Sequence, residues 1–166
     1  MKQWIVRAIL LGTVAALGYW LWSVFFPNPE KVIRKQLNEI ARLASFASNE
    51  GALAKLSNAQ KLASYVAENV EIRIEFQRRS ESVYSGRNEI LQACVAARNM
   101  ATGLTVEFPD IEIAVHPGKQ SATAEVTLRA QLHGERDYIV QELKIDFIKT
   151  GGEWLISRAE TVRTLR

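Results

Sequence analysis

The chain has too few cysteine and histidine residues for a disulfide framework or a recognised metal site. It contains one cysteine, Cys94, and two histidines, His116 and His133. A single thiol forms no internal disulfide and argues only weakly against an oxidising compartment. One thiol and two distant imidazoles also lack the ligand spacing of known zinc sites, so we expect no metal and no cofactor. Cys94 lies on an apolar helix face, which favours a buried structural thiol over a nucleophile.

Stretches rich in positive charge are also missing. There are 21 Lys and Arg residues against 18 Asp and Glu residues. Lys2 and Arg7 precede all the acidic residues, so the remainder of the chain is almost neutral. The sequence shows neither a basic stripe with interleaved aromatic side chains nor a phosphate-binding glycine loop. Nucleic-acid partners are therefore not expected.

What the chain does have is one long uncharged run near its start. Residues 8–26 (AILLGTVAALGYWLWSVFF) carry no charge, and at about 1.5 Å per residue they roughly span a 30 Å hydrocarbon core. A cleaved signal peptide is the alternative. This run, however, is longer than a usual signal core, ends in bulky aromatic residues and lacks a small-x-small cleavage site. We therefore predict an uncleaved single-pass membrane anchor over residues 1–27.

The flanking charges give a weak orientation signal. Lys2 and Arg7 precede the run, and Lys31, Arg34 and Lys35 follow it. A short N-terminal tail before a large domain favours a cytoplasmic N-terminus, so we expect the domain on the non-cytoplasmic (periplasmic) side.

Small residues also recur within the run. Ala8, Gly12 and Ala16 share one helix face, and such a face allows a second membrane helix to approach closely. The same spacing often arises by chance, so a packing role for these residues remains one of two interpretations.

Residues 28–166 have the length of one domain. Asn28, Pro29 and Glu30 suit the N-cap, first position and first turn of a helix. Periodicity predicts helices over 29–48, 52–67 and 87–101, and strands over 70–76, 82–84, 104–115, 122–132, 138–149 and 153–164. Leu53 and Leu56 are expected to face inward, and Pro109 is expected to bend its strand. This order predicts an α+β fold, with three helices on one face of a curved, mostly antiparallel sheet.

That order and three local phrases resemble the nuclear transport factor 2-like superfamily, which includes SnoaL-like and ketosteroid isomerase-like proteins. The phrases are residues 70–76 (VEIRIEF), 84–90 (YSGRNEI) and 152–158 (GEWLISR), and the resemblance covers residues 29–165. It implies a cone-shaped α+β domain. It does not imply one activity, because this superfold serves isomerases, cyclases, dehydratases, transport adaptors and secretion-system subunits.

The catalytic groups that the resemblance would imply are missing or misplaced. Ketosteroid isomerases use an Asp base just after the first strand, whereas this chain has Glu75 there, in phase with solvent-facing residues. A base of this kind needs a desolvated site that raises its pKa. Dehydratase-like and cyclase-like members use His and Asp in the cavity, whereas His116 and His133 lie in predicted turns. We therefore name no catalytic residue.

The cone of this fold could still hold a ligand. By analogy with the fold, its mouth or lining would include the following residues: Tyr65, Tyr84, Arg98, Glu142, Trp154 and Arg158. In the alternative interpretation, Tyr65 and Trp154 plug the core, and Glu142 and Arg158 form a structural or surface pair. The residues alone leave both interpretations open.

Two functions follow from these alternatives. The first is a membrane-anchored, non-catalytic domain that acts as a protein-interaction or assembly subunit, as a homodimer or within a membrane-protein complex. The resemblance includes type IV secretion inner-membrane subunits with a similar plan. The second is a small apolar ligand-binding protein, or an isomerase-like or cyclase-like enzyme, that uses the cone cavity. A cone filled by Phe76, Phe147 and Trp154 would argue against the second function.

Overall fold

The computed structural model describes residues 28–76 and 80–162, together with Thr13. The predicted anchor over residues 1–27, with Ala8, Gly12 and Ala16, otherwise lies outside the described part. Within the described part, no helix has the length and apolar character needed to cross a membrane.

The described residues form three helices and six strands. The helices are α1 (Pro29–Ala44), α2 (Ala52–Ser64) and α3 (Arg87–Met100). The strands are β1 (Val66–Phe76), β2 (Ser80–Ser85), β3 (Leu104–Val115), β4 (Ser121–Leu132), β5 (Ile139–Thr150) and β6 (Glu153–Thr161). The α+β class and the element order expected from the periodicity are therefore confirmed.

One sheet contains all six strands, in the order β2-β1-β6-β5-β4-β3. Neighbouring strands are antiparallel except for β1 and β6, which run parallel. The sheet is thus mixed. The bend expected at Pro109 is present as a shift of register between Glu107 and Asp110, because proline cannot donate a hydrogen bond to the neighbouring strand.

Helix α1 is specified at both ends. The Asn28 side chain accepts a hydrogen bond from the Glu30 backbone N–H, and Pro29 occupies the first turn. At the other end, the Ser45 hydroxyl bonds to the backbone of Val106, and Phe46 pairs with Leu104 at the start of β3. The helix is thereby tied to the edge strand, and its apolar face lies against the sheet.

The core lies between the helices and the sheet. Its largest fully buried side chains are Ile33 and Leu37 of α1, Val70 of β1, Val126 of β4 and Phe147 of β5. Burial alternates along the strands: Leu143, Ile145 and Phe147 face the helices, as the period of two predicts.

Two expectations about α2 are wrong. Leu53 and Leu56 are exposed rather than inward-facing, and the buried residues of α2 are Ala59 and Ala63. The small alanine side chains let α2 approach its neighbours closely, so the leucines lie on the opposite surface. The helix also ends before residue 67, because β1 begins at Val66 and the Ile156 N–H donates to the Tyr65 carbonyl.

We expect Phe147→Ala to lower the free energy of unfolding by about 3–5 kcal/mol, because truncation of a buried ring leaves a cavity. The matched control is Val140→Ala on the same strand, where 59% of the side chain is exposed and the change should cost less than about 0.5 kcal/mol. Urea denaturation followed by circular dichroism measures both. Equal effects would mean that Phe147 is not a core residue.

Candidate functional site

A groove runs beside α1 at the end of the domain where Asn28 lies. It has a volume of about 470 Å³ and is lined by α1, the end of α2 and the start of β6 through the following residues: Val32, Gln36, Lys61, Ser64, Tyr65, Gly152, Glu153, Trp154 and Leu155. A second depression of about 690 Å³ continues along α1 and shares Val32, Gln36 and Tyr65 with the first. Both volumes lie within the range of small-molecule sites.

A hydrogen bond from a side chain to the backbone positions the floor of this groove. The Gln36 side-chain amide donates to the Trp154 carbonyl at 2.9 Å, which joins α1 to β6. The Trp154 side chain is only 5% exposed and belongs to the core, and Lys149 Nζ lies 5.9 Å from the centroid of its ring. Tyr65 is half-buried at the end of α2. The groove is therefore a surface feature, and the core residue Trp154 forms part of its floor.

One carboxylate at the rim pairs with two basic side chains. Glu39 accepts hydrogen bonds from Arg42 at 2.6 Å and 2.8 Å and from Lys61 at 3.1 Å. These bonds, those of Arg42 first, lower the pKa of the Glu39 carboxyl from 4.5 to about 2. The Glu39 carboxyl is therefore ionised near neutral pH.

The depressed pKa of Glu39 makes a signed prediction about acid stability. A carboxyl whose pKa is lower in the folded state stabilises the fold above its unfolded pKa, near 4.5, and loses this contribution as the pH falls through about 2. We therefore expect Glu39→Gln to reduce the fall in urea midpoint between pH 5 and pH 3. Glu135→Gln, in an exposed turn, is the control, and an unchanged pH profile for Glu39→Gln would contradict the assignment.

Arg98 lies in a second, fully enclosed cluster. Among the side chains that the structure describes, it is the one buried charged or polar residue, at 2% exposure. Its Nη1 lies 2.5 Å from Glu50 Oε2, its Nη2 donates to the Leu43 carbonyl, and its guanidinium stacks 5.0 Å from the centroid of the Phe46 ring. Asn58 donates to the other Glu50 oxygen. The cluster fastens α3 to the α1–α2 connection, and both terminal nitrogens of Arg98 bond to acceptors of the protein itself.

Cys94 lies one turn before Arg98 and packs against the core. Burial raises the pKa of its thiol, and the positive charge of Arg98 opposes this only in part. The thiol is therefore protonated at neutral pH, which fits a structural role.

Removing Glu50 should leave the buried Arg98 without a counter-charge. We expect Glu50→Ala to destabilise the fold by about 3–5 kcal/mol. Glu107→Ala breaks the exposed pair with Arg129 and should cost no more than about 1 kcal/mol. Chemical denaturation at neutral pH measures both losses, and similar values would show that water screens the Arg98–Glu50 pair.

The structure separates the other sequence-predicted pocket residues. Tyr84 of β2 is half-buried against the core. Glu142 and Arg158 lie on the sheet face away from the helices: Glu142 accepts a hydrogen bond from Thr127 at 3.1 Å, and Arg158 pairs with Glu160 at 2.9 Å. Of the six predicted residues, Tyr65 and Trp154 line one groove, and the remaining four do not.

Both histidines lie in turns, as expected. His116 Nε2 lies 3.1 Å from the Thr123 hydroxyl, which donates to Asp146 at 2.8 Å. His133 covers Gly103, where an added Cβ would meet the imidazole at 2.9 Å. In the described part of the chain, no three His, Cys, Asp or Glu residues are grouped as a metal site would require.

Sequence reasoning missed the character of the sheet face that points away from the helices, which we call the outer face. Carboxylates outnumber basic side chains there roughly two to one. The strand registers place on it the acidic residues Glu71, Glu75, Glu107, Asp110, Glu112, Glu125, Glu142, Asp146 and Glu160, and the basic residues Arg73, Arg129, Lys144 and Arg158. The period of two shows which residues share a face, but only the strand order brings these charges together.

No family model matches the chain, and no curated protein does. Solved structures match over most of its length. A nuclear transport factor 2-like protein of Novosphingobium aromaticivorans is 17% identical with a TM-score of 0.61, covering 91% of this chain and 88% of its own. A candidate scytalone dehydratase of the same organism is 14% identical with a TM-score of 0.60, covering 82% and 84%. The yeast UBP3-associated protein BRE5 is 10% identical with a TM-score of 0.61, covering 84% and 100%.

Identities this low show the fold alone. The chain adopts the nuclear transport factor 2-like, or cystatin-like, fold that the sequence resemblance implied. The first of these proteins is described only by its fold, the second is a candidate enzyme, and the third is associated with another protein. These similarities therefore do not decide between the two functions.

Proposed function

We propose that this chain is a membrane-anchored, non-catalytic domain of the nuclear transport factor 2-like fold that acts as a protein-interaction or assembly subunit at the membrane surface. One observation carries the proposal: core side chains fill the concave side of the sheet. Phe147 is 1% exposed and Trp154 is 5% exposed. The charged group buried within the described part, Arg98, donates hydrogen bonds through Nη1 to Glu50 and through Nη2 to the Leu43 carbonyl.

Acid–base chemistry in a cone needs a titratable side chain that contacts the substrate. The described core is built mainly from aliphatic and aromatic side chains, and the titratable side chains packed against it are Tyr84 and the protonated thiol of Cys94. The surface therefore remains as the functional part of the domain. The anchor over residues 1–27 and its periplasmic orientation are part of the proposal, supported by the uncharged run at residues 8–26.

The outer face is the surface best suited to a protein partner. It spans the whole sheet, and its side chains are fixed by strand register. Because acidic residues predominate, two copies packed face to face would bring like charges together, which costs several kcal/mol. The charge favours a complex with a more basic partner over a sheet-to-sheet homodimer. Apolar residues lie among the charged ones and provide apolar area for contact with a partner, among them Val140, Ile148 and Leu155.

The test is native mass spectrometry of the full-length protein, gently extracted in detergent from its own membrane. We expect a stoichiometric complex with another protein. The double variant Glu125→Lys with Glu142→Lys should reduce that complex at least tenfold, because it reverses two charges on the outer face. The matched control, Glu135→Lys with Asp137→Lys, makes the same charge change in the exposed β4–β5 turn and should retain the complex.

A second candidate function has one observation in its favour. Tyr65 and Trp154, two of the predicted pocket residues, line the same groove of about 470 Å³. A stoichiometric small molecule on the native protein, lost in Tyr65→Ala and present without a partner protein, would replace the assembly role with ligand binding. Recovery of the full-length protein in the soluble fraction without detergent would overturn the anchor.

A further inference from the structure

Three segments meet at the end of the domain where Asn28 lies. They are the first turn of α1, the β3–β4 turn at residues 116–120 and the β5–β6 turn at residues 150–153. The Lys149 N–H donates to the Gln120 carbonyl at 2.8 Å, which ties the two turns together. Val32 and Glu153 line the same groove, which places α1 beside the second turn. We call this surface the N-terminal end.

Exposed lysines populate the N-terminal end. Lys31 and Lys119 lie in the first and second segments, Lys149 lies in β5 directly before the third, and all three are exposed. None of them forms an ion pair with another residue of the described ranges 28–76 and 80–162. Lys35 follows Lys31 one turn further along α1 and is also exposed and unpaired within those ranges.

Acidic residues offset only part of this charge. Within the three segments the carboxylates are Glu30, which is paired with Arg34 at 3.3 Å, and Glu153 in the β5–β6 turn. Glu68 of β1 and Glu89 in the first turn of α3 lie outside these segments. The described part of the chain thus has opposite charge on two surfaces: positive at the N-terminal end and negative on the outer face.

We infer that the N-terminal end docks on the headgroups of anionic phospholipids. The inference rests on the proposed function, because the anchor must bring this end to the bilayer. The uncharged run ends at Phe26, and α1 begins at Pro29. The residues between them reach at most about 10 Å, which is comparable with the Debye length of about 8 Å at physiological ionic strength. Lys31 therefore lies where an anionic surface would attract it, and the turns that carry Lys119 and Lys149 adjoin the same end of the domain.

Docking would also orient the domain. Each lysine near an anionic surface raises the population of the docked state by a factor of about five. The acidic outer face is repelled by the same lipids and remains turned away from them, accessible to a partner. Lipid composition thereby controls how the proposed interaction surface is presented.

The test uses the full-length protein in nanodiscs of phosphatidylcholine, with or without phosphatidylglycerol, and measures hydrogen exchange in the turns at residues 116–120 and 150–153. We expect several-fold slower exchange in the anionic discs, reversed by 0.5 M salt, because salt screens the attraction. The triple variant Lys31→Gln, Lys119→Gln, Lys149→Gln should lose this protection. The control Lys55→Gln, Arg136→Gln, Lys144→Gln removes the same charge from other surfaces and should keep it.

The possible results distinguish a failure of lipid docking from a failure of the proposed membrane anchor. Incorporation into both discs with identical exchange in the two lipids, or protection that survives the Lys31, Lys119 and Lys149 substitutions, overturns lipid docking alone. Failure to enter either disc overturns the anchor and the inference together. Inorganic phosphate added to phosphatidylcholine discs should not protect the turns. Protection by phosphate would make the surface a site for soluble anions and contradict the lipid assignment.

Discussion

The apolar face of α1 covers one side of the sheet, and the other features of the domain depend on that contact. Ile33 and Leu37 are completely buried there, against strands that supply Phe147 and Val126. A curved sheet needs such a helix because one of its faces would otherwise expose a continuous apolar surface.

Polar contacts specify how the helices attach to this core. Gln36 fixes the first half of α1 to β6, and Ser45 fixes its end to β3. The Arg98–Glu50 pair then joins α3 to the connection between α1 and α2. A buried ion pair adds little net stability but is costly to break, so its main effect is to exclude other arrangements of the helices.

Periodicity predicted most of the fold, because burial on one face leaves a direct trace in the sequence. Alternation in β4 and β5 placed residues such as Val126 and Phe147 on the core side, and Gly151–Gly152 marked the β5–β6 hairpin correctly. The same logic misplaced Leu53 and Leu56, since a helix can pack through alanines and leave its leucines in solvent. Local sequence patterns do not show which neighbouring element packs most closely against a helix.

The candidate site was harder to predict for a related reason. Tyr65 and Trp154 do share a groove, but Glu142 and Arg158 lie on the opposite face of the sheet with partners of their own. Glu50, which pairs with Arg98, sits in a loop far from it in sequence, where no periodic signal exists. Contacts that depend on strand order or on loop conformation become visible only in three dimensions.

The central position of β6 has a consequence for the order in which the domain can be made. This strand lies between β1 and β5 although it follows both in the chain. Until a ribosome has released it, the sheet exists as two separate pieces, β1–β2 and β3–β5, and both have unpaired edges that invite aggregation. Closure of the sheet is therefore a late, long-range step of biosynthesis.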